Sequence, residues 1–327
     1  MSTTSGPVLA LDLGGTQIRA AVVSAGGHIL SRADRRTPAN EGPEPVIRGC
    51  IEELKRAASA VTPDIRRSLV GLGLASPGPL DPRTGVLVEP PNFGPGFVDV
   101  PFRDPIAAAL GLPAALERDT NVAALAELTF GAARGVRDFL YLTISTGIGG
   151  SIVIAGRIYG GPDGVAGELG HVPIAIEGPI CGCGGVAHVE SFASGGGMAK
   201  IAAELAVQGA APGLAARVRA IAPRELEGRD VAELADHGDP EAATIIENGR
   251  RALSQMIVGL VNTFNPEMIV IGGSVAQGQG EHLLGPIREA VAANAFRIPR
   301  GRVRIVPAEL GDDVGLLGAV PLCAMRA

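Results

Sequence analysis

Val8-Leu9-Ala10-Leu11-Asp12-Leu13-Gly14-Gly15-Thr16-Gln17-Ile18-Arg19-Ala20-Ala21-Val22-Val23 is the stretch on which the fold turns. Val8–Asp12 is a short apolar run, which predicts a buried strand. It ends at Gly14-Gly15, and a second apolar run, Ala20–Val23, follows at once. A third, Ile29–Ser31, comes after another glycine turn, so the pattern is a meander. A dinucleotide-binding fingerprint also joins a strand to glycines, but its glycines open a helix; here they lead into a strand, which argues against that fold. No Lys follows the turn, so it is not a Walker loop either. What remains is a strand–glycine turn–strand unit. Its glycines let backbone N–H groups approach a phosphate with no Cβ in the way.

Two more turns of this kind occur, Thr146-Gly147-Ile148-Gly149-Gly150 and Gly272-Gly273-Ser274. One glycine turn says little in a chain with 47 glycines, because ordinary hairpins use them freely. Three at strand C-terminal ends say more, since α/β folds bind ligands there. The hydroxyls of Thr16 and Thr146 can add donors to the backbone amides.

Working outward, Pro45–Ala60 has helical spacing and Leu69–Leu74 reads as a strand. Arg103–Leu110 reads as a helix, Ala114–Leu116 as a strand and Asn121–Phe130 as a helix. The pattern then restarts, with strands at Phe139–Ile144 and Ser151–Ile154. Helices are predicted over Gly195–Val207, Asp230–Leu234 and Pro240–Thr263, then a strand at Met268–Ile271. A helix at Leu283–Ala292, a strand at Val303–Val306 and a closing helix at Val314–Ala324 complete the chain. Both halves open on a strand–turn–strand unit and continue as α/β, a repeat of architecture without sequence identity. The expected division is a small domain over 1–118 and a larger one over 119–313, with the closing helix, 314–327, packing back on the first.

The chain has 327 residues, 46% of them hydrophobic and 19% charged, which fits a globular protein with well-buried cores. The net charge is −6, and no basic stretch is long enough to grip a phosphate backbone, so nucleic acid is not an expected partner. No apolar run reaches the roughly 18 residues of a spanning helix. No signal peptide is read at the N-terminus. A membrane is therefore not expected to be a partner, and the cytoplasm is the expected location.

A second informative stretch runs from Glu168-Leu169-Gly170-His171 through Cys181-Gly182-Cys183-Gly184 to His188-Val189-Glu190. His171, Cys181, Cys183 and His188 form a set of the kind tetrahedral Zn²⁺ takes. The spacing departs from the usual Cys-x-x-Cys pattern, so from spacing alone a zinc site and two buried thiols both stay open. A disulfide is disfavoured because Cys-x-Cys neighbours are poorly placed to bridge each other. Glu168 and Glu190 are not needed by a closed zinc site and are free to face a ligand.

In their order, several motifs make the chain resemble the ROK family (repressor, open reading frame, kinase) of bacterial sugar kinases. They are Asp12-Leu13-Gly14-Gly15-Thr16, Ser76-Pro77-Gly78-Pro79-Leu80-Asp81, Pro91-Asn92-Phe93 and Asp119-Thr120-Asn121. Ser145-Thr146-Gly147-Ile148-Gly149-Gly150, Gly167-Glu168-Leu169-Gly170-His171 and Cys181-Gly182-Cys183-Gly184 complete the set. The resemblance implies a two-domain actin/hexokinase-like (ribonuclease H-like) α/β fold with the ligand cleft between the domains. It further implies ATP-dependent phosphorylation of a hexose or N-acetylhexosamine at its 6-hydroxyl, with Asp119 as catalytic base. By the same resemblance Asn92, Glu168, His171 and Glu190 hold sugar hydroxyls with the Gly78 backbone nearby. Asp12, Gly14, Gly15 and Thr16 hold the β/γ-phosphates and the water shell of Mg²⁺. Thr146 and Gly147 serve the phosphates, and Gly272 and Gly273 border the adenosine. A structural Zn²⁺ and assembly as a homodimer or homotetramer are implied as well.

Two departures from the family pattern stand out. Arg118 replaces the Asn that precedes the catalytic Asp, and it could enter the sugar site or turn to solvent and pair with Glu117 or another carboxylate; the second is expected. His188 stands where a third zinc Cys is usual, which makes the set His₂Cys₂, and Ala187 replaces a Gly beside it. Two other readings are weighed. A repressor of the same family carries a DNA-binding segment before the kinase-like part, and none is expected with Asp12 this early in the chain. A catalytically impaired sugar-binding or sensing protein is suggested by Arg118 and opposed by Asp12, Thr16, Asp119 and Thr146.

Overall fold

The computed structural model describes residues 4–91, 93–94 and 96–325. Strand β1 (Val8–Leu13) is antiparallel to β2 (Gln17–Val23), with Asp12 opposite Arg19. β2 is antiparallel in turn to β3 (Ile29–Arg36). β4 (Leu72–Ser76) runs parallel to β1. Three short strands follow as a small antiparallel sheet of their own: β5 (Leu80–Asp81), β6 (Val86–Leu87) and β7 (Val100–Pro101). β8 (Ala114–Arg118), parallel to β4, completes a five-stranded sheet in the order β3-β2-β1-β4-β8. β1 is central and apolar on both faces. Leu9, Leu11 and Leu13 enter one core with Val46, Leu54 and Ile106, from helices Pro43–Ser59 and Arg103–Leu110. Val8 and Ala10 enter the opposite core with Ala126, Leu316 and Val320, as the two-residue period of a strand requires. β3 runs five residues past the predicted Ser31. It is an edge strand with most of its residues partly or fully exposed, so the charges of Arg32, Asp34, Arg35 and Arg36 mask its alternation.

The closing segment forms two helices, Val314–Leu317 and Ala319–Ala324, rather than one. Both pack on β1. Gly318 lies between them, where a Cβ would come within 2.1 Å of the Val122 carbonyl. The absence of a side chain is what lets this segment lie against helix Asp119–Phe130.

The second large sheet contains β9 (Phe139–Ile144), β10 (Ile148–Ile154), β11 (Arg157–Ile158), β12 (Met268–Gly272) and β13 (Arg304–Pro307), in the order β11-β10-β9-β12-β13. β12 is parallel to both β9 and β13. Its five residues are all buried, as a central parallel strand demands. The chain divides into two compact units. The first is Met1–Arg137, Ser151–Gly167 and Ala308–Ala327, and the second is Asp138–Gly150 and Glu168–Pro307. The first division thus falls after helix Asp119–Phe130, which belongs to the first unit. Among the described residues no helix is long and apolar enough to cross a membrane.

Candidate active site and metal cluster

In the first unit the turn after β1 is closed by its own backbone: Gly14 N–H donates to the Gln17 carbonyl at 2.9 Å. It is pinned to the segment after β3, where Thr37 Oγ1 donates to the Gly14 carbonyl at 2.7 Å and Thr37 N–H to the Thr16 carbonyl at 2.9 Å. Thr16 is exposed. Asp12, at the end of β1, lies 3.9 Å from Arg19 Nη1, and that nitrogen also donates to the Asp312 carbonyl at 2.8 Å. Burial pushes the Asp12 carboxyl above its ordinary range. Arg19 and Arg32 oppose the shift, and Asp313 adds to it. Helix Val314–Leu317 comes so close that a Cβ on Gly315 would lie 2.8 Å from Asp12 Cγ.

Asp119 is the first residue of helix Asp119–Phe130, directly after β8, and Arg118 takes the N-cap position. Asp119 is partly exposed, and its Oδ1 accepts the Thr120 N–H at 2.7 Å. Glu117 Oε1 accepts the Arg118 backbone N–H at 2.9 Å and Asn121 Nδ2 at 3.0 Å, which braces the strand–helix junction. Arg118 does not turn to solvent as expected. It is 3% exposed, and its Nη2 donates to the Ala166 carbonyl. The glycine turn is the reason there is room: a Cβ on Gly78 would come within 3.0 Å of Arg118 Cδ. Asn92 lies outside the described residues.

In the second unit the turn after β9 is held on three sides. Gly195 and Gly196, the first residues of helix Gly195–Val207, donate to the Ser145 and Thr146 carbonyls at 2.8 and 2.9 Å. Ser145 Oγ is 2.9 Å from Ser274 Oγ. Glu190 Oε2 accepts the Ile148 N–H at 2.8 Å, and a Cβ on Gly147 would collide with it at 2.7 Å. Gly273 has φ +92 and no room for a Cβ, which would lie 2.4 Å from the Ile144 carbonyl oxygen. Just past it opens a cavity of 620 Å³, lined by Met198, Gly228, Arg229, Ile246, Ser274 and Gln279 among others. Sequence reasoning stopped at Gly272-Gly273 and missed helix Gly228–Asp236 as a wall. The only signal was Gly228 itself, where a Cβ would sit 2.6 Å from Gly195 Cα.

His171, Cys181, Cys183 and His188 meet in this unit, with one ligand atom from each lying within 4.8 Å of the others. Cys181 Sγ is 3.6 Å from His171 Nδ1, and Cys183 Sγ is 3.3 Å from His188 Nδ1. Two ligands on one tetrahedral Zn²⁺, with Zn–S about 2.3 Å and Zn–N about 2.0–2.1 Å, stand on the order of 3.5 Å apart. The donor set and its spacing therefore fit the ion. The loop is shaped for the cluster. Gly184 has φ +88, and a Cβ on Gly185 would lie 2.1 Å from His188 Cε1. Ala187 accepts φ +56 despite its methyl group. Cys181 Sγ also lies 3.4 Å from Glu190 Oε1, so Glu190 joins the cluster to the Ser145–Gly150 turn. Without a metal, burial pushes the Cys181 thiol up to about 11. A bound cation takes up the thiolate instead.

The described residues thus supply a partly exposed carboxylate at a helix start, two pinned glycine turns, a cavity beside a third, and a metal-type cluster. The ROK family model matches residues 8–326. The chain is 34% identical to the glucokinase of Thermotoga maritima, over 98% of each chain. It is 32% identical to the N-acetylmannosamine kinase of Shigella flexneri, over 96% of this chain and 97% of that one. Among solved structures it is similar to a ROK family glucokinase from Streptomyces griseus in complex with glucose and AMPPNP. The TM-score is 0.79 and the identity 29%, with 98% of this chain and all of that one covered. The fold is the α/β, two-domain, actin/hexokinase-like one. On the match of nearly its whole length, the chain belongs to the ROK family.

Proposed function

We propose that this protein is an ATP-dependent kinase that phosphorylates a hexose or N-acetylhexosamine on its 6-hydroxyl. The observation that carries the reading is the paired strand–glycine turn–strand unit, at β1–β2 and β9–β10, with Asp119 at a helix start after β8. The relatives named glucokinase and N-acetylmannosamine kinase agree with it. Phosphoryl transfer needs alignment, charge neutralisation and a base beside the attacking hydroxyl. Asp119 takes the proton from the sugar O6. The O6–Pγ bond forms as the bond from Pγ to the β-phosphate oxygen breaks, and ADP leaves with that electron pair. The amides of Gly14 and Gly15 and the hydroxyl of Thr16 bind the β/γ-phosphates, and Thr146 and Gly147 bind them from the second turn. Gly272 and Gly273 border the adenosine, with the adjoining cavity as its pocket. Mg²⁺, when bound, neutralises phosphate charge, and Asp12 holds its water shell.

Sugar hydroxyls are held by Asn92, Glu168, His171 and Glu190, with the Gly78 backbone nearby. Carboxylates accept from paired hydroxyls, and Asn both donates and accepts. Zn²⁺, when bound by His171, Cys181, Cys183 and His188, stiffens this loop. His171 Nδ1 faces the cluster, so Nε2 is the nitrogen that donates to the sugar, with its tautomer set by the metal. Thiolate ligands fit a reducing cytoplasm, and a homodimer or homotetramer is the expected assembly. The deciding experiment is coupled ADP release by the purified protein with glucose, N-acetylmannosamine, N-acetylglucosamine, mannose and fructose. Release with at least one of them is expected; none with any sugar at millimolar concentration overturns the reading.

A further inference from the structure

We infer that Arg118 is a positioning residue for the sugar: its guanidinium clamps the glycine-rich loop 159–167 beside the Gly78 turn, while Glu117 Oε1, which accepts its backbone N–H and Asn121 Nδ2, braces the chain on both sides of Asp119. This rests on the sugar-kinase reading above. The loop contains Gly160, Gly161, Gly164 and Gly167, and the last three have φ of 68, 80 and 101. Such a segment has much conformational freedom to lose and needs anchors to keep one shape. One anchor is its own: Ala166 N–H closes the loop on the Gly160 carbonyl at 2.9 Å. The other is Arg118, which donates to the carbonyl of the same Ala166. Ala166 is thus held through both of its backbone polar groups. On the far side, Gly164 lies against Pro82, with a built Cβ 3.5 Å from Pro82 Cδ.

A cation that is 3% exposed is costly to bury and has to be compensated by acceptors. Arg118 is also fixed from behind, since its stem crosses Gly78 so closely that any side chain there would move it. Its N–H is bound to Glu117 Oε1, the atom that also holds Asn121. The residues it ties together are those assigned to the sugar or their near neighbours in sequence. Gly78 is one, Asp119 is the next residue, and Glu168 comes two residues after Ala166. Loss of the clamp should therefore be felt by the sugar and not by the nucleotide. Lys keeps the charge and most of the stem but replaces the planar fork with a single flexible donor.

The test uses purified Arg118→Met and Arg118→Lys in two measurements. Steady-state kinetics are run with each substrate varied at saturating levels of the other. Limited proteolysis of the free proteins is read by mass spectrometry for cuts within 159–167. Arg118→Met should raise the sugar KM about tenfold or more, with the ATP KM changed by less than about twofold. It should also open cuts in the loop, and Arg118→Lys should recover part of both effects. An unchanged sugar KM, or sugar and ATP KM rising together without loop cutting, overturns the inference. If Arg118→Met does not fold, Arg118→Lys alone carries both measurements against wild type. A wild-type protein that phosphorylates no sugar would instead sink the kinase reading, and the proteolysis would still decide whether the clamp exists.

Discussion

Asp119 and Gly185 show how much one position can carry. Asp119→Asn keeps the side-chain shape at the head of helix Asp119–Phe130 but cannot accept the sugar proton. Turnover should fall by about 10²-fold or more while calorimetric sugar binding persists. Near-wild-type turnover would remove Asp119 from the mechanism. Gly185 has no side chain because the His188 ring fills the space, with a built Cβ only 2.1 Å from Cε1. Gly185→Ala should therefore displace a ligand and cut the metal content, measured by plasma mass spectrometry, well below about one zinc per chain. Gly182, two residues before Gly184 in the same loop, has nothing within 4 Å of a built Cβ, so Gly182→Ala should keep its metal. Equal metal in both variants would show that His188 is not a ligand. Both side chains could be named from sequence, Asp119 by its motif and His188 by its donor chemistry. The steric demand at Gly185 could not, because it depends on where the His188 ring points.

Helix Gly228–Asp236 and the closing pair of helices are held by different forces. Asp230 is fully buried and meets Arg217 at 2.7 Å and Arg224 at 2.8 Å, and it accepts the Glu227 N–H at 2.9 Å in a capping box. The Arg224 guanidinium, above all, holds its carboxyl far below the ordinary carboxylate range. A lowered carboxyl pKa contributes stability that is complete above the unfolded value, about 3.9, and is lost as pH falls below it. Asp230→Asn should lower the urea midpoint at pH 7, and the gap to wild type should shrink between about pH 4 and pH 2. A gap independent of pH would show that the charge is not what matters. Arg229, Ala232 and Asp236 of the same helix line the cavity past Gly273, so the variant should also raise the ATP KM. In the closing segment the force is close packing. Gly318→Ala would drive a methyl into the Val122 carbonyl and should cost about 1–3 kcal/mol, read from denaturant midpoints. Helix Gly228–Asp236 was legible from its spacing, apart from its ends. The break at Gly318 was not, because Gly also occurs inside helices and only the neighbouring helix gives it a reason.

Taken as one molecule, the chain should be stabilised by whatever binds its folded form. Glucose or a non-hydrolysable ATP analogue, each at 100 times its Kd, should add about 2.7 kcal/mol and raise Tm measurably. Chelation of a metal bound there should shrink the rise given by sugar, because His171 is one of the cluster's four residues and Glu190 lies against it, and leave most of the rise given by nucleotide. Equal losses of both would mean that the metal supports the fold at large and not the sugar loop. The sequence alone determined the α/β alternation and argued against a dinucleotide-binding fold, since strand–glycine turn–strand can be told from strand–glycine turn–helix by local periodicity; the actin/hexokinase-like fold came from the family resemblance of its motifs. It also located the glycine turns and the four His and Cys side chains that the structure brings together, because glycine tolerance and donor softness are properties of the residues themselves. Tertiary structure alone decided the orientation of Arg118, the walls of the cavity past Gly273, the link from Glu190 to Ile148 and the split at Gly318. Each of these depends on an atom from a segment distant in the chain: Ala166, Gly228, Ile148 and Val122. Side-chain direction and close approach between distant segments arise only when the chain is packed, and no local pattern encodes them.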